Sequence, residues 1–168
     1  MQGRFKVRVL GVLKQFEEAE GAFRQAILKD PKYGDAYVGL GNLLRIQGRT
    51  EEALPLLKKG IESDFEKRIN HNYLAIVSIS KQLGEEIQPE YIEIARQSIA
   101  EDNWYNRACL ESVCDNCDLA FEYLQEAVQK ENFDPGWAWQ DPDFQWIRND
   151  PRFVEIVGPK PEEKNSEV

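Results

Sequence analysis

Histidine is almost missing from this chain: His71 is the only one in 168 residues, beside three cysteines and one methionine. That scarcity leaves little material for imidazole-based catalysis or for a His-rich metal centre. No serine stands in a G-x-S-x-G setting, and neither a phosphate-cradling glycine loop nor an H-E-x-x-H pair occurs. A non-enzymatic protein without cofactor is therefore expected. Three cysteines are too few to staple a secreted mini-domain, so the fold has to rest on packing. No apolar run approaches the roughly 20 residues that a membrane-spanning helix needs, so no integral membrane segment is expected, and a cytoplasmic location fits. Positive charge is also short. Thirty acidic residues face 21 basic ones, a net charge of −9, which argues against nucleic acid as a partner.

What the chain does have is self-similarity. Phe16-Glu-Glu-Ala19-Glu-Gly-Ala-Phe23-Arg-Gln-Ala26 through Pro31 sets Ala, Phe, Ala and Pro at spacings of four, three and five. A shift of 34 residues lands on Ala53, Leu57, Gly60 and Phe65. Upstream of Ala53, Tyr37, Leu40, Gly41 and Leu44 recur at helical intervals before Gly48 ends the helix. Two antiparallel helices at close approach need small side chains at the contact, and Gly41, Ala53 and Gly60 supply them. Thr50 is placed to cap the second helix, and Glu51 and Glu52 lie near its positive end. Pro55 deletes one backbone bond inside that helix. Pro31 disfavours helical backbone at Asp30, so the helix from Phe16 should stop there.

These residues resemble the tetratricopeptide repeat (TPR) family, whose 34-residue pattern runs W-x2-L-G-x2-Y, then A-x3-F, then P. Tyr37, Leu40, Gly41, Leu44, Ala53, Leu57 and Gly60 sit where that pattern expects them. A further copy is carried by Trp104, Ala108, Ala120, Leu124 and Ala127, although Arg107 and Glu111 stand where Leu and Tyr belong. Between them, Asn72 through Gly84 and Pro89 through Glu101 read as two helices. In the first copy, Phe5-Lys-Val-Arg-Val9 alternates like a strand, yet its convincing partner from Phe16 makes residues 4–14 a poor first helix. Arg4, Lys6, Arg8 and Lys14 precede any acid there. The stretch lacks Ser and Arg8 interrupts its apolar run, so it belongs to the repeat rather than to a targeting peptide.

The resemblance implies an all-α fold, a right-handed α-solenoid of about four TPR-like hairpins over residues 1–32, 33–66, 67–102 and 103–133. After it, 134–158 carries Asp-Pro steps that place Asp as a cap and Pro at the first helical position, so two short capping helices are expected. Trp137, Trp139 and Trp146 would cover the open end of the array. Residues 159–168, rich in Pro, Glu and Lys, form a tail expected to be disordered.

A TPR array implies a protein or peptide partner held in the concave groove by the first helix of each hairpin. Counting one face away from the packed positions selects Asp35, Val38, Asn42, Arg45 and Ile46. The third copy offers His71, Leu74, Ser78, Lys81 and Gln82, and the fourth Tyr105, Cys109, Ser112 and Val113. Some family members clamp a terminal carboxylate with Lys, Asn and Arg. Asn42 matches one such position, but Val38 stands where Lys is required and Ala75 where the second Asn is, so an ordinary peptide segment is expected instead. The alternative is a thiol redox or metal-binding role for the C-x-x-C formed by Cys114 and Cys117. A tetrahedral zinc site needs four ligands, and no second C-x-x-C is present.

Overall fold

The structure, a computed structural model, describes the backbone of residues 2–63, 72–130 and 132–161 and the side chains of those from residue 15 onward. All regular structure among the described residues is helical. The chain divides into two compact units, Met1–Glu85 and Glu86–Val168.

In the first unit, α1 (Gln2–Lys29), α2 (Gly34–Ile46), α3 (Thr50–Ser63) and α4 (Asn72–Leu83) pack in sequence order, each against the next. The first copy differs from the expected hairpin: residues 2–29 form one continuous helix with no turn before Phe16. It ends at Lys29, where Pro31 required it to end, and Asp30 Oδ1 accepts from Lys32 N at 3.0 Å. Thr50 is the first helical residue of α3 rather than its cap; the preceding Arg49 carbonyl takes the first helical bond, from Ala53 N.

Close approach in this unit is a matter of missing Cβ atoms. A Cβ at Gly41 would lie 2.7 Å from Leu57 Cγ, and one at Gly60 would lie 2.6 Å from Val38 Cγ2. A third notch, which the repeat pattern does not announce, is Gly39, where the Phe23 ring of α1 sits 2.4 Å from the would-be Cβ. Leu40, Leu44, Ala53 and Leu57 are essentially water-free around these contacts. Each of the three leucines contributes about 2 kcal/mol by burial. Arg49 fastens the hairpin to α1, donating to Glu20 at 2.8 Å and to Glu52 at 2.7 Å. Bonds from Arg24 and Arg49 hold the Glu20 carboxyl below its ordinary value.

In the second unit, α5 (Pro89–Ser98) packs on α6 (Trp104–Val113), which pairs with α7 (Cys117–Ala127). The two departures from the repeat pattern in α6 both answer to α5. Glu111, buried, receives a two-bond fork from Arg96 at 2.8 and 3.0 Å, plus Asn116 Nδ2 at 2.5 Å. Arg107 donates to the carbonyls of Ala100 and Ile99 just past the end of α5. A charged pair thus replaces the apolar contacts of the repeat.

Three helices end alike. After α2, Gly48 takes a positive φ of 75° while Arg49 N reaches back to Leu44 O at 2.9 Å. Gly84 does the same after α4, with Glu85 N bonded to Ser80 O. After α6 the position belongs to Asp115, at φ 63°, with Asn116 N bonded to Glu111 O. The helix-ending turn is thus kept where the glycine is not, at the cost of left-handed backbone in a residue with a Cβ.

The closing segment contains the two short helices expected, α8 (Pro135–Gln140) and α9 (Pro151–Val157), with a 3-10 turn at Pro142–Phe144 between them. Each begins with an Asp-Pro pair. Asp134, Asp141 and Asp150 accept from the backbone N–H of Trp137, Asp143 and Arg152. Phe144, Ile147 and Phe153 are buried, and Arg152 ties α9 to α7 by lying 4.2 Å over the Phe121 ring and pairing with Asp118. Trp139 packs into the cap as expected, edge-on to Phe153 at 5.1 Å and donating to Gly158 O. Trp137 and Trp146 stay 52% and 38% exposed. Of the expected tail, residues 162–168 lie outside the described residues.

Candidate partner-binding surfaces

The residues selected from the sequence separate into open and covered sets. On α2, Asp35 is exposed, Ile46 is 72% exposed, and Asn42 and Arg45 are half-buried. Asn42 donates from Nδ2 to Asn72 Oδ1 at 3.0 Å, which joins α2 to α4, the first helices of successive copies. Val38 is half-buried as well, and its Cγ2 stands against Gly60 in the α2–α3 contact.

His71 lies outside the described residues. Leu74 and Ser78 are buried, because α4 is covered all round from Asn72 to Ser80. Ser78 Oγ accepts from Gln82 Nε2 at 3.3 Å, while Lys81 and Gln82 are half-buried. Burial therefore withdraws Leu74 and Ser78 from any partner that α4 could meet.

In the fourth copy most of the expected lining is covered by the chain itself, and Tyr105 is half-buried. Ser112, fully buried, donates to Asp143 O at 2.8 Å. Cys109 and Val113 are each 1% exposed, and Cys109 Sγ lies 3.9 Å from Asp141 Oδ2. Tyr105 donates its hydroxyl to that same oxygen at 2.9 Å and sets its ring edge-on to Phe144. Burial first, and then the neighbouring Cys109 and Asp141, hold the Tyr105 phenol well above its ordinary value. The 3-10 turn thus occupies the face of α6 that the offsets had assigned to a partner. The sequence carried a signal for this in the Asp141-Pro142 step, which fixes a turn, though not the helix on which it lands.

Ligand atoms of Cys109, Asp141 and Asp143 fall within 4.8 Å of one another, all buried. The Asp141 carboxylate is already committed. Oδ1 caps the turn at Asp143 N, and Oδ2 takes the Tyr105 hydroxyl. That accounts for it as a structural group.

Cys114 and Cys117 are not joined in a disulfide; both are half-buried, at the end of α6 and the start of α7. They flank the left-handed Asp115 of the helix-ending turn. Among the described residues no group of three potential metal ligands includes either one. Nor is any helix among the described residues long and apolar enough to cross a membrane.

Comparison with known families adds one finding: residues 13–71 match the family described as tetratricopeptide repeat. The match spans most of α1 with the whole α2–α3 hairpin. No curated protein matches the chain.

Proposed function

From the match of residues 13–71 to a family whose repeats mediate protein–protein contact, we infer a non-enzymatic adaptor or assembly scaffold that engages a peptide or protein segment in a concave groove, on the face of α2 that carries Asp35, Asn42, Arg45 and Ile46. The observation that carries this reading is the division of the candidate residues. Leu74 and Ser78 of α4 and Cys109, Ser112 and Val113 of α6 are buried, while on α2 Asp35 and Ile46 are exposed and Asn42 and Arg45 half-buried. An isoleucine 72% exposed next to a guanidinium and an amide offers an apolar anchor with polar neighbours, the composition of a modest-affinity contact patch. A terminal-carboxylate clamp has no place here, since Val38 occupies the Gly60 notch and Ala75 is buried.

The experiment is a paired substitution, Arg45→Glu with Ile46→Asp, followed by measurement of partner binding and of folding by far-UV circular dichroism. Asn42 is left alone, because alanine there would strip Asn72, 8% exposed, of its donor and confound stability with binding. Loss of binding with an unchanged spectrum supports the α2 face; unchanged binding moves the contact elsewhere.

A further inference from the structure

Of the three closing tryptophans, Trp137 contributes least to the core, and it forms one wall of a cleft of about 690 Å3. The cleft lies wholly within the second unit, at the starts of α6 and α8 and the end of α7. Trp104, Tyr105, Phe133 and Trp137 are its aromatic residues; Asp102, Asp134 and Lys130 are its charges. The volume is that of a small-ligand or side-chain site. Trp104 is braced from behind by Tyr123, at 5.8 Å between ring centroids. No ring contact is made by the Trp137 indole among the described residues, and it is 52% exposed.

Charge decides what this cleft receives. Two carboxylates oppose one ammonium in a chain of net charge −9, and the faces of aromatic rings are themselves electronegative. At each of the two helix starts a cap side chain takes up one backbone donor. Asn103 Oδ1 accepts from Asn106 N, and Asp134 Oδ1 accepts from Trp137 N. The Asp102 carboxylate and Asp134 Oδ2 have no partner among the described residues. A planar cation that stacks on an indole while forking onto a carboxylate satisfies both features, and among side chains that is arginine. We propose that this cleft binds an arginine side chain presented by a partner polypeptide, a contact separate from the α2 face and independent of it.

The test uses the full chain labelled with 15N and the blocked peptide acetyl-Gly-Gly-Arg-Gly-Gly-amide, with citrulline and glutamate versions as probes of charge. The indole N–H signals of Trp104 and Trp137 are expected to shift saturably with the arginine peptide while that of Trp139 stays in place. Citrulline should bind at least fivefold more weakly. Trp137→Ala should cost at least tenfold in affinity, and Trp137→Phe less. The pair Asp102→Asn and Asp134→Asn should also cost at least tenfold; asparagine keeps the cap at position 134, so folding is retained. Equal binding of citrulline, tighter binding of glutamate, or indifference to Trp137→Ala overturns the proposal. Pro161 Cγ lies 3.9 Å from where a Gly136 Cβ would stand, so the chain leaves the described region beside this cleft. If ending the chain after Pro161 moves the Trp137 signal without peptide, the occupant is the chain's own tail and the proposal fails.

Discussion

Arg96→Ala removes the guanidinium that answers the buried Glu111 carboxylate in the second unit. Glu111 is 4% exposed, and its charge rests on two bonds from Arg96 and one from Asn116. Breaking one side of a buried pair typically costs about 3–5 kcal/mol. Arg96 is itself 40% exposed, so water can follow into the space it leaves, and the expected loss is about 2–3 kcal/mol. Replacing both partners by leucine removes the need for the pair and should cost under about 1 kcal/mol.

The chain's four tryptophans all lie in the second unit, so their fluorescence in a urea titration reports this unit. The midpoint should fall with the slope unchanged. The pH dependence has a fixed sign. Burial alone raises the Glu111 carboxyl, but the Arg96 and Asn116 bonds outweigh it and leave it below its ordinary 4.5. A depressed carboxyl contributes stability above that ordinary value and loses it as pH falls through the folded one. The gap between the native chain and Arg96→Ala should therefore be full at pH 7 and narrow below about pH 4. A loss under about 0.5 kcal/mol for Arg96→Ala, or a double leucine variant as unstable as the single one, refutes the reasoning.

Gly41→Ala should destabilise the first unit by about 1–3 kcal/mol despite alanine's better helix propensity, because its Cβ would strike Leu57 Cγ at 2.7 Å; thermal denaturation checks it. Asp115→Gly should stabilise the second unit by about 1 kcal/mol, since φ 63° suits glycine, and an unchanged urea midpoint would contradict that. Tyr105 is held neutral by burial with its hydroxyl on Asp141, so its raised phenol contributes stability that is full below pH 10 and lost as pH rises further. Tyr105→Phe should flatten that alkaline loss, as followed by fluorescence between pH 8 and 11.

Helix positions were readable from sequence wherever a local rule operates. Pro31 stops α1, Gly48 and Gly84 end α2 and α4, and each Asp-Pro step opens a turn. The small residues at Gly41, Ala53 and Gly60 were readable too, because helix–helix contact imposes one spacing. Non-local pairings were not readable. Nothing near Glu111 in sequence announces Arg96, fifteen residues back, and the buried charge looked only like a departure from the repeat. The same holds for Ser112 and Cys109. Their helical offset is that of a lining residue, but a turn thirty residues later covers them. Lys6 and the alternation around it suggested a weak first helix ahead of a turn, whereas α1 runs unbroken through that stretch.

The most direct measurement is quantitative co-purification from native cells with the unaltered chain and with Arg45→Glu/Ile46→Asp, both confirmed folded. If the α2 face carrying Arg45 and Ile46 is the contact surface, a defined set of proteins retained by the first should drop at least tenfold with the second, and a charge change at exposed Glu126 of α7 should leave that set intact. Equal recovery with both chains would contradict the account.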